Sequence, residues 1–279
     1  MTLAKERAAE AAALFELTPP SPQAVLIDEE PFGKTATVEA LYSTVPDGAL
    51  LSRLVEIEVH VSSLPDQDWI KLSQEGLPPV RAGHFFVYGA HDQGAVPHGV
   101  IPLRIEAGLA FGTGHHESTA LCLALISDLA KRRRFRHVLD LGCGTGVLAI
   151  GMACLWKIHV AAADVDPVAV DVARENAARN KAKPFVRAIN ADGLSHPLLA
   201  RAIPFDLIVA NILAGPLTRL APQIATAVSA HGMLILSGLL HWQENLVLGF
   251  YRPHGLALRQ RRRDGPWSAL LLERVVRAG

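Results

Sequence analysis

In the C-terminal half of the chain, two kinds of apolar pattern take turns. Short runs rich in Val, Ile, Leu and Ala, around residues 138–141, 158–163, 185–189, 206–210 and 232–236, have the look of strands buried on both faces. Between them lie longer stretches with helical spacing, such as 147–156, and 167–180 with Val168, Ala169, Val172 and Ala173 on its inner side. Asp166-Pro167 opens the second of these as an N-cap followed by proline at the first helical position. A helix over about 239–251 and two closing strands, 256–261 and 268–275, complete the series. This alternation predicts an α/β fold with a doubly wound parallel sheet, which binds ligands at the carboxyl ends of its strands.

The first 61 residues differ. They read as an Ala-rich helix over 4–17 closed by Thr18-Pro19-Pro20-Ser21-Pro22, then strands at 24–27 and 35–42 separated by a turn at Pro31-Phe32-Gly33. Asp47 is placed to cap a helix over 50–54, and 55–61 resembles a further strand. Residues 1–61 are thus expected to form a small α+β domain, 62–81 a proline-bearing connector docked through Trp69, and 82–279 the large domain. The large domain would begin with strands near 84–88 and 101–105.

Charge and cysteine usage narrow the class. Lys plus Arg equals Asp plus Glu, so the formal net charge is zero, which argues against a nucleic-acid coat or a polybasic membrane binder. The basic runs Lys131–Arg134 and Arg261–Arg263 are short and read as solvated connections. Three cysteines without a C-x-x-C point to reduced thiols and a cytoplasmic protein. Cys143 has no adjoining base and is not read as a nucleophile. The apolar stretch 147–156 is too short to span a bilayer.

The chemistry centres on Asp140-Leu141-Gly142-Cys143-Gly144-Thr145-Gly146. Glycines remove side chains where the backbone bends and a ligand approaches, which makes Gly142 and Gly144 candidate ligand-binding positions. Asp164 follows Gly142 by 22 residues, at the tip of the next strand, where a carboxylate can accept both hydroxyls of a ribose. The spacing G-x-G-x-G, with Val147 and Leu148 after it, lacks the last glycine of the dinucleotide pattern. It is the pattern found in S-adenosylmethionine-dependent methyltransferases, whose ligand has no phosphate. Asp192, after the third strand, is a candidate for the adenine amino group.

A second signature spans residues 106–123. Its glycine-rich first half cannot be helix, and its second half starts one at Glu117-Ser118-Thr119, suggesting a loop-to-helix lid. His115 and His116 are adjacent and point different ways, so no metal site is expected. A third segment, Asn211-Ile212-Leu213-Ala214-Gly215-Pro216-Leu217, follows the fourth strand.

The segments at 110–116, 140–146 and 210–217 together resemble the family that methylates the large-subunit ribosomal protein L-eleven, whose marks are A-F-G-T-G-x-H, D-x-G-C-G-[ST]-G and A-N-I-L-A-G-P-L. The similarity covers roughly residues 65–275 and includes Ser237-Gly238 and Trp267. It implies a class I methyltransferase Rossmann-like sheet, mostly parallel with one antiparallel strand, and an N-terminal substrate-recognition domain. It further implies S-adenosylmethionine as cofactor, contacted by Thr119, Gly142, Asp164 and Asn211. The partner would be ribosomal protein L-eleven, free or ribosome-bound, and the enzyme a monomer. At 112–119 the chain reads G-T-G-H-H-E-S-T where the family often has G-T-G-T-H-P-T-T, departing at His115, Glu117 and Ser118.

The implied reaction is displacement of a methyl group from a sulfonium by a lysine or N-terminal α-amine, with catalysis by alignment and without a metal. The amine must be neutral. A free lysine, pKa ~10.4, is so in about one molecule in 2,500 at pH 7, and an apolar pocket beside a cation would lower that pKa. Asn211, with backbone carbonyls of the Ile212-Leu213 turn, is the candidate for holding the amine's hydrogens, the alternative for Asn211 being a helix N-cap. A methyltransferase for another protein amine is the main rival reading.

Overall fold

The computed structural model describes residues 1–20, 22, 24–29, 35–42, 44–62, 79–89, 96–105 and 117–275. The Pro31–Gly33 turn, the docking role of Trp69 and the glycine-rich half of the second signature lie outside them. The chain divides into two compact units, Met1–Gln67 and Asp68–Gly279.

In the first unit, β1 (Thr2–Ala4), β2 (Ala24–Glu29) and β3 (Thr35–Leu41) form an antiparallel sheet in the order β1-β3-β2. Helices α1 (Lys5–Leu17) and α2 (Gly48–Val55) pack into a core with it, through Ala8, Ala12, Phe15, Val38, Leu51 and Val55. Asp47 caps α2 as expected, accepting from the amides of Ala49 and Leu50 at 3.0 Å. The strand read at 55–61 is absent. Val55 is the buried last residue of α2, and Glu56 turns the chain away with a left-handed φ of 56°.

The second unit holds a seven-stranded sheet in the order β12-β13-β11-β10-β7-β8-β9. These strands are β7 (Val138–Leu141), β8 (Val160–Asp164), β9 (Val186–Asn190), β10 (Phe205–Asn211), β11 (Val228–Leu240), β12 (Leu256–Asp264) and β13 (Trp267–Arg274). β13 alone runs antiparallel to its neighbours. The continuous apolar runs have a simple cause. Along β10, Leu207 and Val209 enter one core while Ile208 and Ala210 enter the other, so both faces are buried. Each fully buried Leu or Ile contributes roughly 1.5–3 kcal/mol.

Helices α3 (Glu117–Ala130), α4 (Val147–Trp156) and α5 (Pro167–Arg179) cover the first face. Helices α6 (Pro197–Ala202), α7 (Ala214–Ala227) and α8 (Glu244–Tyr251) cover the other. A second small sheet, β4 (Val80–Ala82), β5 (Phe85–Tyr88) and β6 (Ile101–Arg104), packs Phe85 and Leu103 against Gly151 of α4, where a Cβ would sit 3.3–3.4 Å from both.

The elements differ from the sequence reading at several places: β1, α6 and β4, which lies partly in the expected 62–81 connector, are not anticipated by it, and β11 already begins at Val228. β11 continues through Leu240 instead of giving way to helix at 239. Its register shifts between Leu236 and Leu239, where Gly238 has φ 76°, and α8 starts only after a 3-10 turn at His241–Gln243. The run Arg261–Arg263 lies inside β12, not in a connection. Alternation sends Arg261 and Arg263 to buried Glu244 and Arg262 to Asp128 on α3, which covers this edge strand with charge.

Candidate functional site

The tips of β7, β8 and β10 lie side by side, since Ala210 pairs with Leu141 and Leu141 with Ala163. Gly142, Asp164 and Asn211 therefore converge from three separate stretches of sequence.

Backbone conformation explains the glycines. Gly142, Gly144 and Gly146 have φ of 71°, 50° and 79°, in the left-handed region. A Cβ on Gly142 would meet Ile212 Cγ2 at 2.1 Å, so the turn and the segment after β10 are in direct contact. A Cβ on Gly146 would stand 2.9 Å from that of Ala173, which is why α4 can start against α5. Buried Asn176 of α5 donates to the Thr145 carbonyl at 3.1 Å and holds the turn from behind.

Asp164 is oriented by the backbone before any ligand arrives. Its Oδ2 accepts from the Gly144 amide at 2.8 Å and its Oδ1 from the Asp166 amide at 3.0 Å. Each oxygen keeps a further lone pair, so two hydroxyls still fit. Asn190 reinforces the tip by donating to the carbonyls of Asp164 and Val165. Asp192 is exposed two residues beyond the neighbouring β9, and its backbone carbonyl accepts from the Ser195 hydroxyl at 2.8 Å.

Asn211 Nδ2 donates to Thr119 Oγ1 at 3.2 Å, while its buried Oδ1 accepts nothing among the described residues. It is not a helix cap. The N-cap of α7 is Leu213, which makes no side-chain cap bond and whose carbonyl already takes the Leu217 amide. Of the two carbonyls expected to assist Asn211, that of Leu213 is thus partly engaged. Ile212 presses on Gly238, where a Cβ would come within 2.6 Å of the Ile212 carbonyl oxygen. Ser237, level with Asn211 on β11, donates to the Ser118 carbonyl at 3.2 Å. The start of α3 is therefore tied to two strand tips, through Thr119 and Ser118.

Two acids set the local field. Burial pushes the Asp140 carboxyl up to about 7, helped by the neighbouring Asp164 charge and opposed by the Ala149 amide, which donates to its Oδ2 at 2.9 Å. Burial likewise raises the Cys143 thiol well above its ordinary range and that of Cys122 to about 12, so both stay protonated thiols. Hydrogen-bond donors at the free lone pairs of Asp164 and at Asn211 Oδ1 are what this arrangement accommodates.

Ser237, Asn176 and Asn190 were not singled out as site residues from the sequence. A polar residue at an apolar position of a buried strand or helix face, as at 176 and 237, is the signal that could have found two of them.

The family model for ribosomal protein L11 methyltransferase (PrmA) matches residues 13–275, reaching well into the first unit and beyond the span of about 65–275 expected from the motifs. The chain is 50% identical over 219 residues to the ribosomal protein L11 methyltransferase of Mesorhizobium japonicum, covering 78% of this chain and 74% of that protein. It is 48% identical over 210 residues to that of Brucella suis, covering 75% and 74%. The crystal structure of ribosomal protein L11 methylase from Lactobacillus delbrueckii subsp. bulgaricus superposes with a TM-score of 0.63 at 28% identity, covering 71% of this chain and 99% of that one. With a family match over most of its length and relatives about half identical to it, this chain belongs to the ribosomal protein L11 methyltransferase family of S-adenosylmethionine-dependent enzymes.

Proposed function

We propose that this protein methylates amines of ribosomal protein L11, on lysine side chains, the N-terminal α-amine or both, and that Asn211 positions the accepting nitrogen. The observation that carries the reading is the buried Asn211 Oδ1, which lacks a donor among the described residues and sits at the strand tips beside the glycine turn. An unpaired buried acceptor costs about 1–3 kcal/mol, so a site that fills it with an N–H gains that back on binding.

S-adenosylmethionine, when bound, supplies an electrophilic methyl carbon, and the amine lone pair forms the new N–C bond as the C–S bond breaks. The chain's own groups do the rest. Gly142 and Gly144 keep the turn open to the ligand, and Asp164 takes the ribose hydroxyls with its two remaining lone pairs. Thr119 fixes the Asn211 amide so that Oδ1 accepts from the amine and aims its lone pair. The proton released from the product ammonium passes to solvent.

The small N-terminal domain, residues 1–61 by the sequence reading, is the substrate-recognition module in this proposal, with 62–81 as its connector. Its charge supports that role. The unit Met1–Gln67 carries four Lys/Arg against eleven Asp/Glu, a net of −7, which attracts a lysine-bearing protein. The enzyme acts in the cytoplasm as a monomer, on the ribosomal protein free or ribosome-bound.

The test is mass spectrometry of purified ribosomal protein L11 after incubation with this protein and S-adenosylmethionine. Added methyl masses on its lysines or amino terminus are expected. An unmodified protein, under conditions where another lysate protein gains methyl groups, sinks the substrate assignment in favour of that protein.

A further inference from the structure

The neutral total charge conceals a polar distribution. The unit Asp68–Gly279 carries 23 Lys/Arg against 16 Asp/Glu, a net of +7 that offsets the acidic first unit. Sheet register shows where part of this excess goes. Val138, Val160 and Val186 stand in one row across β7, β8 and β9, so the segments leading into these three strands leave the sheet along the same edge. At a strand spacing of about 4.8 Å, the three entrances fall within about 10 Å. This edge is opposite the tips that carry Gly142, Asp164 and Asn211.

The three segments are basic. Arg132, Arg134 and Arg136 precede β7, Lys157 precedes β8, and Lys181 and Lys183 precede β9. All six are exposed, and none has a side-chain ion pair among the described residues. The nearby carboxylates are engaged. Asp128 holds Lys131 and Arg262, Asp206 accepts the amides of Arg136 and His137, and Glu175 holds Arg179. Beside the β9 entrance a groove of about 460 Å³ is lined by Lys183 and Arg187, together with Arg174, which is paired to Asp171, and Glu175.

We propose that this edge is a docking surface for the phosphate backbone of RNA. Three segments of unpaired cations on a rigid sheet edge, continued by a cation-lined groove, fit a row of phosphates. A membrane would need apolar groups beside the cations, and none of the exposed large hydrophobic residues falls in these segments. Because the edge faces away from the strand tips, RNA held there leaves the site open. The inference stands on charge and register and does not rest on the methyl-transfer reading.

Fluorescence anisotropy with a labelled single-stranded RNA 20-mer tests it on the full chain. Micromolar binding at low salt is expected, with a log K against log salt slope near −0.7 per neutralised phosphate. The triple variant Arg132→Glu/Arg134→Glu/Lys183→Glu should lose at least about tenfold in affinity and about two units of that slope. The charge-matched variant Arg53→Glu/Arg81→Glu/Arg219→Glu should bind like the parent. Unchanged S-adenosylmethionine binding by calorimetry in both variants shows that both are folded. Absence of RNA binding at low salt, or equal losses in the two variants, overturns the proposal. So does binding confined to phosphatidylserine vesicles and lost in the first variant, which would make the edge a membrane surface.

Discussion

Asn211 and Thr119 lie 92 residues apart and meet side chain to side chain at 3.2 Å, the amide donating and the hydroxyl accepting. This contact decides which way Asn211 faces. With Nδ2 committed to α3, Oδ1 is the atom left for a ligand, and Thr119 acts on the amine through Asn211.

Asn211→Ala is therefore expected to lower kcat roughly tenfold to a hundredfold, the worth of one hydrogen bond to a group gaining charge, with little change in cofactor affinity. Thr119→Ala should follow in the same direction more weakly, and Thr119→Ser should recover most of the loss. Steady-state kinetics with calorimetric cofactor titration separates these outcomes. Turnover of Asn211→Ala within a few-fold of the parent removes the positioning role.

Asp164→Ala should weaken S-adenosylmethionine binding by about a hundredfold or more, since it deletes charge-assisted bonds to the ribose and frees the Gly144 and Asp166 amides. Asp164→Asn is expected to fare little better. A carboxamide presents one acceptor oxygen, and its NH2 would face one of those two backbone donors. Calorimetry measures both, and parent-like affinity in Asp164→Asn would place the ribose elsewhere.

The glycine turn makes a separable prediction. Gly142→Ala brings its Cβ into Ile212 and forces an L residue to φ 71°. Activity should fall through displacement of Ile212 and the adjoining Asn211. Adding Ile212→Ala removes the clash but not the backbone strain, so the double variant should recover part of the activity and little of the stability. Gly144→Val, at φ 50°, should lose cofactor binding outright. Additive losses in the Gly142/Ile212 cycle would show that the two residues do not communicate.

Asp140 makes stability depend on pH. Its carboxyl titrates at about 7 in the folded protein, against about 3.9 in an unfolded chain, so the folded state binds more protons between these values. Its stabilising contribution is complete below about pH 4 and is lost as pH rises through 7, by an amount on the order of a few kcal/mol. Asp140→Asn keeps an acceptor for the Ala149 amide and should flatten the profile from pH 4 to 8, leaving the variant more stable than the parent at pH 8. Denaturant midpoints across that range measure it, and parallel profiles would mean that Asp140 is ionised in the fold.

How much of this was legible beforehand follows from the range of the interactions. Burial on both faces of a strand leaves an uninterrupted apolar run, and a left-handed turn beside a ligand leaves glycines. The sheet, the glycine turn, Asp164 and Asn211 could therefore be read from local text, as could the caps at Asp47 and Asp166. The overrun of β11 past Leu236 could not, because pairing with β13 across the bulge at Gly238 outweighs the helical look of residues 239–243. Nor could the sharing of the Asp164 carboxylate with Gly144, or the partners that Asn176 and Ser237 bond, since each partner lies 20 or more residues away. The zero net charge was legible and spoke against a coat of basic charge, but not against a local basic patch. A sum over sequence carries no positions, and only the register of β7, β8 and β9 gathers the cations of three distant segments onto one edge.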